Sequence, residues 1–475
     1  MAGKTWTTDP KAELQPNLAE TGLAANAPMV LFDFFRQSVK DFGDQPALFF
    51  KNISPGGDAA STPFSSYTWN EYYNQCITFA KALISLDFKP HTVSNIMGFN
   101  SKEWFISQFG TMAAGGIAAG IYPSNSPDQC QYISHHSEAE VVLLENNVQL
   151  EKYFQIANQL PKLKALVVWG EQPAEDTQKR LPGRVQLLHW DAFMQLGASI
   201  PDEMVNERIK AQKPGHCAVL VYTSGTTGPP KAVMISHDNA TWTTTALAHS
   251  FPMDSNDITV SYLPLSHIAA QILDMYAHVY AGSKVYFAQP DALKGTIVQT
   301  LKEVRPTKFF GVPRVWEKMR EKMLEIGRQN GACKSMIGSW AKDKGSKKTE
   351  SHQFGGNKSL PLGFGLANKI AFSKVRAGLG LDRARDCFVA AAPISEEVLR
   401  YFGSLNIPIY EIFGQSECTG PHTLNTPDAW KIGTIGRPLL GSESRVAEGT
   451  GELQYRGRHI MMGYMKNPEA TKKNN

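Results

Sequence analysis

Short apolar runs punctuate this chain at regular intervals, and longer mixed stretches separate them. The runs at 93–97, 141–145, 165–169, 218–222, 232–235, 259–263, 284–288, 308–312 and 388–391 predict strands. The stretches at 69–86 and 292–304 predict helices between them. Strands alternating with helices predict an α/β fold, with helices layered on twisted sheets. One segment, 104–127, holds no charged residue, but it is interrupted by Gly110, Gly115, Gly116 and Gly120 and by Ser107, Gln108, Thr111 and Ser124. A membrane-spanning helix needs about 20 strongly apolar residues. The segment therefore predicts a buried helix over 104–114 and a short buried strand over 117–122.

The rhythm breaks twice. Residues 329–362 are rich in Lys, Ser and Gly, including Lys342, Lys344, Lys347, Lys348 and Lys358. They read as a solvated basic insertion, or as a patch that touches anionic lipid. After about Asp428 short β segments with glycine turns take over, such as 445–447 and 452–455 around a turn at 448–451. A chain of 475 residues exceeds one compact core. The expected organisation is a flexible tail over 1–28, an α/β sub-domain over 29–210, a second over 211–427 and a β-rich subdomain over 428–475. The stretch 211–215 serves as a linker between the two larger units.

Composition narrows the function classes. Forty-eight basic and 44 acidic residues leave a net charge of +4, too balanced for a nucleic-acid partner. Six scattered cysteines form no Cys-x-x-Cys pair and no metal-ligand spacing, which predicts thiols in a reducing, cytoplasmic compartment. The first 16 residues carry charges and no apolar run, unlike a secretory signal.

The chemistry concentrates in Tyr222-Thr223-Ser224-Gly225-Thr226-Thr227-Gly228-Pro229-Pro230-Lys231. Four hydroxyls, two glycines and a lysine stand between two strand-like runs. Glycines let backbone N–H groups approach an anion, hydroxyls donate to phosphate oxygens or bind a metal, and the lysine adds a point charge. A P-loop does not fit, because Lys231 follows Pro230, no Ser or Thr succeeds it, and a strand rather than a helix comes next. The bland reading is a flexible surface loop. Ile412-Phe413-Gly414-Gln415-Ser416-Glu417 follows another strand, and its aromatic, hydroxyl and acid can stack a base and hold Mg²⁺, or simply form a strand-end turn. Ala390-Ala391-Ala392-Pro393 precedes a helix capped at Ser395, and its small residues can admit a flat base. His267 lies in an apolar run, where a satisfied core histidine competes with a substrate contact.

The decapeptide resembles the phosphate-loop signature of the adenylate-forming (AMP-binding) superfamily, whose members activate a carboxylate with ATP. Residues 412–417 resemble its Tyr-Gly-x-Thr-Glu motif, with Phe413 for tyrosine and Ser416 for threonine. Tyr262 to Gln271 contains its Pro-Leu-x-His, 311–316 its Gly-Val-Pro-x-x-Trp turn, and 451–464 its Gly-Glu-Leu-x-x-Arg-Gly run ending in Gly-Tyr. This last run reads mostly as strand pairing within the β-rich subdomain. The strings 98–105, 261–271, 290–296 and 416–422 are most similar to the bubblegum-type branch of the long-chain acyl-CoA synthetases.

The resemblance implies a large adenylate-forming domain of two α/β sub-domains with a small β-rich subdomain. It implies a long-chain or very long-chain fatty acid–CoA ligase that works through an acyl-adenylate, with ATP, Mg²⁺ and coenzyme A as cofactor and substrates; peripheral contact with an intracellular membrane stays an open alternative. By the same resemblance Thr223, Lys231, His267 and Glu417 are catalytic, and Thr223 and Glu417 bind the metal. Thr223, Ser224, Gly225, Thr226, Thr227, Gly228, Lys231, Ala391, Ala392, Pro393, Glu411, Ile412, Phe413, Gly414, Gln415 and Ser416 hold the nucleotide. Two departures stand out. Ala232 occupies a usual glycine position, which would strain the loop if φ must be positive there. The family's mobile C-terminal domain, with its lysine and CoA contacts, lies outside this sequence, so the chain is expected to bind ATP weakly and to make acyl-CoA poorly or not at all. A non-catalytic binder of fatty acid or nucleotide, and an adenylating enzyme for another acid, are the alternatives.

Overall fold

The computed structural model describes residues 5–53, 57–223, 228–329 and 331–474. Its main sheet has eight strands, ordered Gly463–Tyr464, Lys231–Ser236, Cys217–Thr223, Ile117–Ile121, Val93–Met97, Val141–Leu144, Ala165–Val168 and Gln186–His189. From Cys217–Thr223 to Gln186–His189 the neighbours run parallel, and Lys231–Ser236 turns back antiparallel. The central strands are buried throughout, as a sheet covered on both faces requires. A four-stranded sheet joins Ile258–Ser261, Lys284–Phe287, Pro46–Lys51 and Phe64–Thr68. A five-stranded sheet joins Lys308–Gly311, Asp386–Val389, Ile409–Gln415, Gly420–Leu424 and Arg437–Pro438.

The uncharged stretch is explained by burial. The helix Lys102–Ala113 has residues 104–113 buried, and Ile117–Ile121 is a central strand of the main sheet. No helix among the described residues is long and apolar enough to cross a membrane. Local signals set the helix starts. Thr68 and Glu71 close a capping box on Trp69–Ser85, Ser126 and Gln129 another on Pro127–His136, and Ser395 caps Glu396–Gly403. The helix expected over 292–304 breaks at Gly295 into a short turn Ala292–Lys294 and the helix Ile297–Val304.

Three expectations change. Residues 5–28, read as a flexible tail, are tied down: Thr7 N donates to Met462 O at 2.8 Å and Leu14 N to Gly215 O at 3.0 Å. The Arg458 guanidinium, paired with buried Asp238, also donates to Ala24 O at 3.1 Å and Asn26 O at 2.6 Å. The basic insertion contains a 21-residue helix, Ala332–His352, seated by a stripe of buried small residues, Ala341, Gly345 and Thr349. Gly463–Tyr464 does not pair within the β-rich segment, where Glu443–Val446 and Leu453–Arg456 form a two-stranded hairpin; it adds to the edge of the main sheet beside Met234 and Val233.

Candidate active site

Two antiparallel strands, Cys217–Thr223 and Lys231–Ser236, bring Thr223 and Lys231 opposite each other in register. Ser224, Gly225, Thr226 and Thr227, which stand between them in the sequence, lie outside the described residues. Ala232 sits inside the second strand, paired with Tyr222, in a place that requires no positive φ, so the usual glycine is dispensable there.

The strand Ile409–Gln415 approaches from the five-stranded sheet. Its pairing with Gly420–Leu424 slips by one residue between Phe413 and Gly414. A Cβ at Gly414 would lie 1.7 Å from Gly420 O, so only glycine allows this closeness. The irregularity ends the strand at Gln415 and starts the short turn Ser416–Cys418 that carries Glu417.

Tyr464 links the two arms. Its phenol donates to Glu417 Oε1 at 2.7 Å, and the Lys231 ammonium sits 4.8 Å from its ring centroid. Glu417 is further anchored through its carbonyl, which accepts from Met461 N at 2.9 Å. Burial and the bond to Glu417 push the Tyr464 phenol pKa up, so the proton stays on tyrosine and the carboxylate stays the acceptor. An aromatic face thus stands beside the lysine while the hydroxyl of the same ring fixes the acid.

Lys231 and Glu417 open into a cleft of about 410 Å³, and Tyr464 stands behind them, outside its lining. Thr223, Lys231, Gln415, Ser416 and Glu417 provide polar lining, and Leu247, Ile268, Ala269, Ile272 and Leu273 provide apolar lining. Ile272 and Leu273 come from a π-helical turn, Gln271–Tyr276, of the kind that often reshapes a helix at a site. His267 also lines the cleft. Its Nδ1 accepts from Ala269 N at 3.1 Å, and burial lowers its pKa. It is therefore a neutral imidazole with its proton on Nε2, a donor left free of the local backbone. Leu247 and Leu273 also border a smaller cavity of about 30 Å³, walled by Phe251, Phe310 and Phe388. Asp274 borders it too, its carboxyl pKa pushed up to about 7 by burial although Ser261 Oγ donates to it at 2.8 Å.

The cleft gathers Thr223, Lys231, His267, Ala391, Ile412, Gly414, Gln415, Ser416 and Glu417. Gly228, Ala392, Pro393, Glu411 and Phe413 are not among its lining residues. Glu411 lies half-buried one strand position before Ile412, with its pKa raised to about 7 by burial, against a hydrogen bond from the Gly433 backbone. Ala391 holds φ at 75°, an unusual conformation for a residue with a side chain and one that collects at functional sites. The turn at 311–316 braces the five-stranded sheet: buried Trp316 donates to Gly311 O and Phe388 O at 3.2 and 3.1 Å, joining two of its strands. Tyr464, Leu247 and the π-turn residues escaped sequence reasoning. Tyr464 lies 47 residues from Glu417 and meets it only through the edge pairing of the main sheet.

Residues 35–465 match the model of the AMP-binding enzyme family, and the chain belongs to that family. It is 42% identical over 98% of its length to the long-chain-fatty-acid–CoA ligase ACSBG2 of Xenopus laevis. It is also 41% identical over 99% of its length to the ligase of the same name from Gallus gallus. The chain spans 62% and 61% of those two relatives. Against the long-chain-fatty-acid–CoA ligase ACSBG1 of Mus musculus it is 37% identical, covering 98% of this chain and 63% of the relative. In fold it matches the anthranilate CoA ligase AuaEII, solved with anthranoyl-AMP, at a TM-score of 0.68 and 17% identity, covering 95% of this chain and 74% of that one. The o-succinylbenzoate CoA synthetase MenE from Bacillus subtilis, solved with its acyl-adenylate intermediate, gives a TM-score of 0.63 at 15% identity over 94% of this chain and 73% of that one. The fold is the α/β adenylate-forming fold.

Proposed function

We propose that this chain adenylates long-chain fatty acids with ATP and belongs to a fatty acid–CoA ligase. The observation that carries this reading is the cleft itself. A lysine, a threonine and an oriented carboxylate stand beside an apolar wall, in one opening. A polyphosphate suits the first set and an alkyl chain the second.

The reaction joins two anions. The fatty carboxylate attacks the α-phosphorus of ATP, the bond to the β-phosphate oxygen breaks, and pyrophosphate leaves. The task for the protein is to position the partners and neutralise charge. Lys231 is the cation for the phosphates, and the hairpin that holds it presents Thr223 directly across the strand pair. The neutral His267 donates Nε2–H to a carboxylate or carbonyl oxygen of the acid. The alkyl chain lies along Leu247, Ile272 and Leu273, toward the smaller aromatic-walled cavity.

The residues present fit Mg²⁺. No cluster of three or more His, Cys, Asp or Glu forms a metal cage among the described residues. One carboxylate and one hydroxyl, Glu417 and Thr223, line the cleft together, and Mg²⁺ takes few protein oxygens while keeping water and phosphate. When bound, the ion neutralises charge on the phosphate oxygens. In the second half-reaction the CoA thiol attacks the acyl carbonyl and AMP leaves. The chain acts in the cytoplasm and meets its amphiphilic substrate at the surface of an intracellular membrane.

The test is ATP–pyrophosphate exchange and thioester formation with the purified protein across saturated acids. Exchange should require a long-chain acid. Exchange that is equally fast with an aryl or amino acid would overturn the substrate class.

A further inference from the structure

We propose that the segment spanning 328–376 is a docking surface for an anionic lipid bilayer. It deepens the membrane reading above by naming the surface, and its lipid binding is measured without ATP or fatty acid.

Charge is the first observation. Residues 328–376 carry ten Lys and Arg against Asp343 and Glu350, a net of +8. The whole chain carries +4, so the rest is net −4. The net positive charge of this protein is therefore gathered in one tenth of its length.

Exposed apolar side chains are the second. Met336 is 74% exposed, Ile337 47%, Leu362 95% and Leu366 57%. They are neighbours in space. Ile337, Trp340 and Lys344 follow one face of the helix Ala332–His352 at three- and four-residue spacing. A Cβ at Gly363 would lie 3.2 Å from the Trp340 ring and 4.0 Å from Lys344 Cε, which brings Leu362 to that face. Leu366 follows on the helix Phe364–Ala367, whose Ala367 packs with Ala341 and Trp340.

The seat of the helix lies on the stripe that borders this face. Ala341, Gly345 and Thr349 hold the helix to the body, and a Cβ at Gly345 would lie 1.9 Å from Ser404 O. The rotation of the helix is thereby fixed. Exposed apolar side chains on a segment that also exposes Lys334, Lys358, Lys369 and Lys374 have the two components that bilayer attachment needs, burial of apolar area and attraction to anionic headgroups. An acidic protein partner would satisfy the charge alone and leaves Leu362 and Met336 without a reason.

Sedimentation with vesicles tests the surface. The purified chain should bind vesicles of 30% phosphatidylserine in phosphatidylcholine at least about tenfold more tightly than pure phosphatidylcholine vesicles, and lose most of that binding in about 0.5 M salt. The double variant Ile337→Glu, Leu362→Glu should bind about tenfold more weakly or worse, as should Lys334→Glu, Lys369→Glu. Val148→Glu, whose exposure of 68% lies between those of Ile337 and Leu362 but which is remote in sequence, should bind like the unaltered chain. All substituted positions are on the surface, so circular dichroism and the unfolding midpoint should not move. Equal binding of both vesicle types, no binding, or variants that bind as the unaltered chain does would overturn the proposal. Failure of the ligase reading would show instead as absent pyrophosphate exchange with vesicle binding intact.

Discussion

Three side chains from distant parts of the sequence meet at the cleft: Lys231 and Glu417 line it, and Tyr464 joins them from behind. The phenol–carboxylate bond at 2.7 Å is a charge-assisted one, worth about 1.5–3 kcal/mol when its loss leaves the acid unpaired. Tyr464→Phe keeps the ring beside Lys231 and removes the donor. It should slow pyrophosphate exchange roughly tenfold. Tyr464→Ala should slow it further, because the ring that faces the ammonium goes as well. Equal rates for both variants and the unaltered protein would show that Tyr464 only closes the sheet edge. Lys231, Glu417 and His267 were legible in the sequence because each sits in a dense local motif. Tyr464 was not, since its motif suggested strand pairing in the wrong sheet. Its partner strand lies some 230 residues earlier, and nothing local encodes that edge.

At the scale of elements, periodicity carried most of the fold. The central strands and the buried helix after Lys102 were readable because two-sided burial leaves a plain apolar run. The helix Ala332–His352 was not, because its seat is made of Ala, Gly and Thr rather than of large apolar residues. Two glycines in that helix separate seat from surface. A Cβ at Gly345 meets Ser404 O at 1.9 Å, while Gly338 has nothing within 4 Å. Gly345→Ala should cost about 1–3 kcal/mol through overpacking. Gly338→Ala should gain about 0.5–1 kcal/mol from helix propensity. Guanidinium unfolding of the two variants would check this, and the same sign for both would contradict the packing described here.

The molecule as a whole buries neutral histidines. The pKa values of His237, His278 and His459 are lowered to about 3, chiefly by burial. His278 stacks on Trp69 at 4.5 Å, and His237 Nδ1 accepts from Leu31 N at 3.3 Å. The unfolded chain takes up these protons near pH 6.5 and the native chain does not until about pH 3. Their contribution is thus full above about pH 6.5 and is lost as pH falls below it, at about 1.4 kcal/mol per pH unit for each. Asp274 and Glu411 act the other way, since their native carboxyls keep the proton to about pH 7 and favour the folded state as pH falls. The three histidines outnumber the two acids, and Glu411 is only half-buried. Stability should therefore drop between about pH 6.5 and 5, and a denaturation midpoint at pH 5.5 equal to or above that at pH 7.5 would refute this balance. The apolar wall of the cleft belongs to this scale too. It is assembled from the helix His237–Ser250, the π-turn and the strand ends, so no single stretch of sequence announces it.

The most direct measurement is the affinity of the purified chain for Mg²⁺-ATP, by calorimetry, with and without Lys231→Ala and Glu417→Gln. The cleft described here predicts at least a tenfold weaker affinity in Lys231→Ala, and in Glu417→Gln a loss of the dependence of ATP binding on Mg²⁺. ATP that binds all three proteins with one affinity and one metal dependence would contradict it.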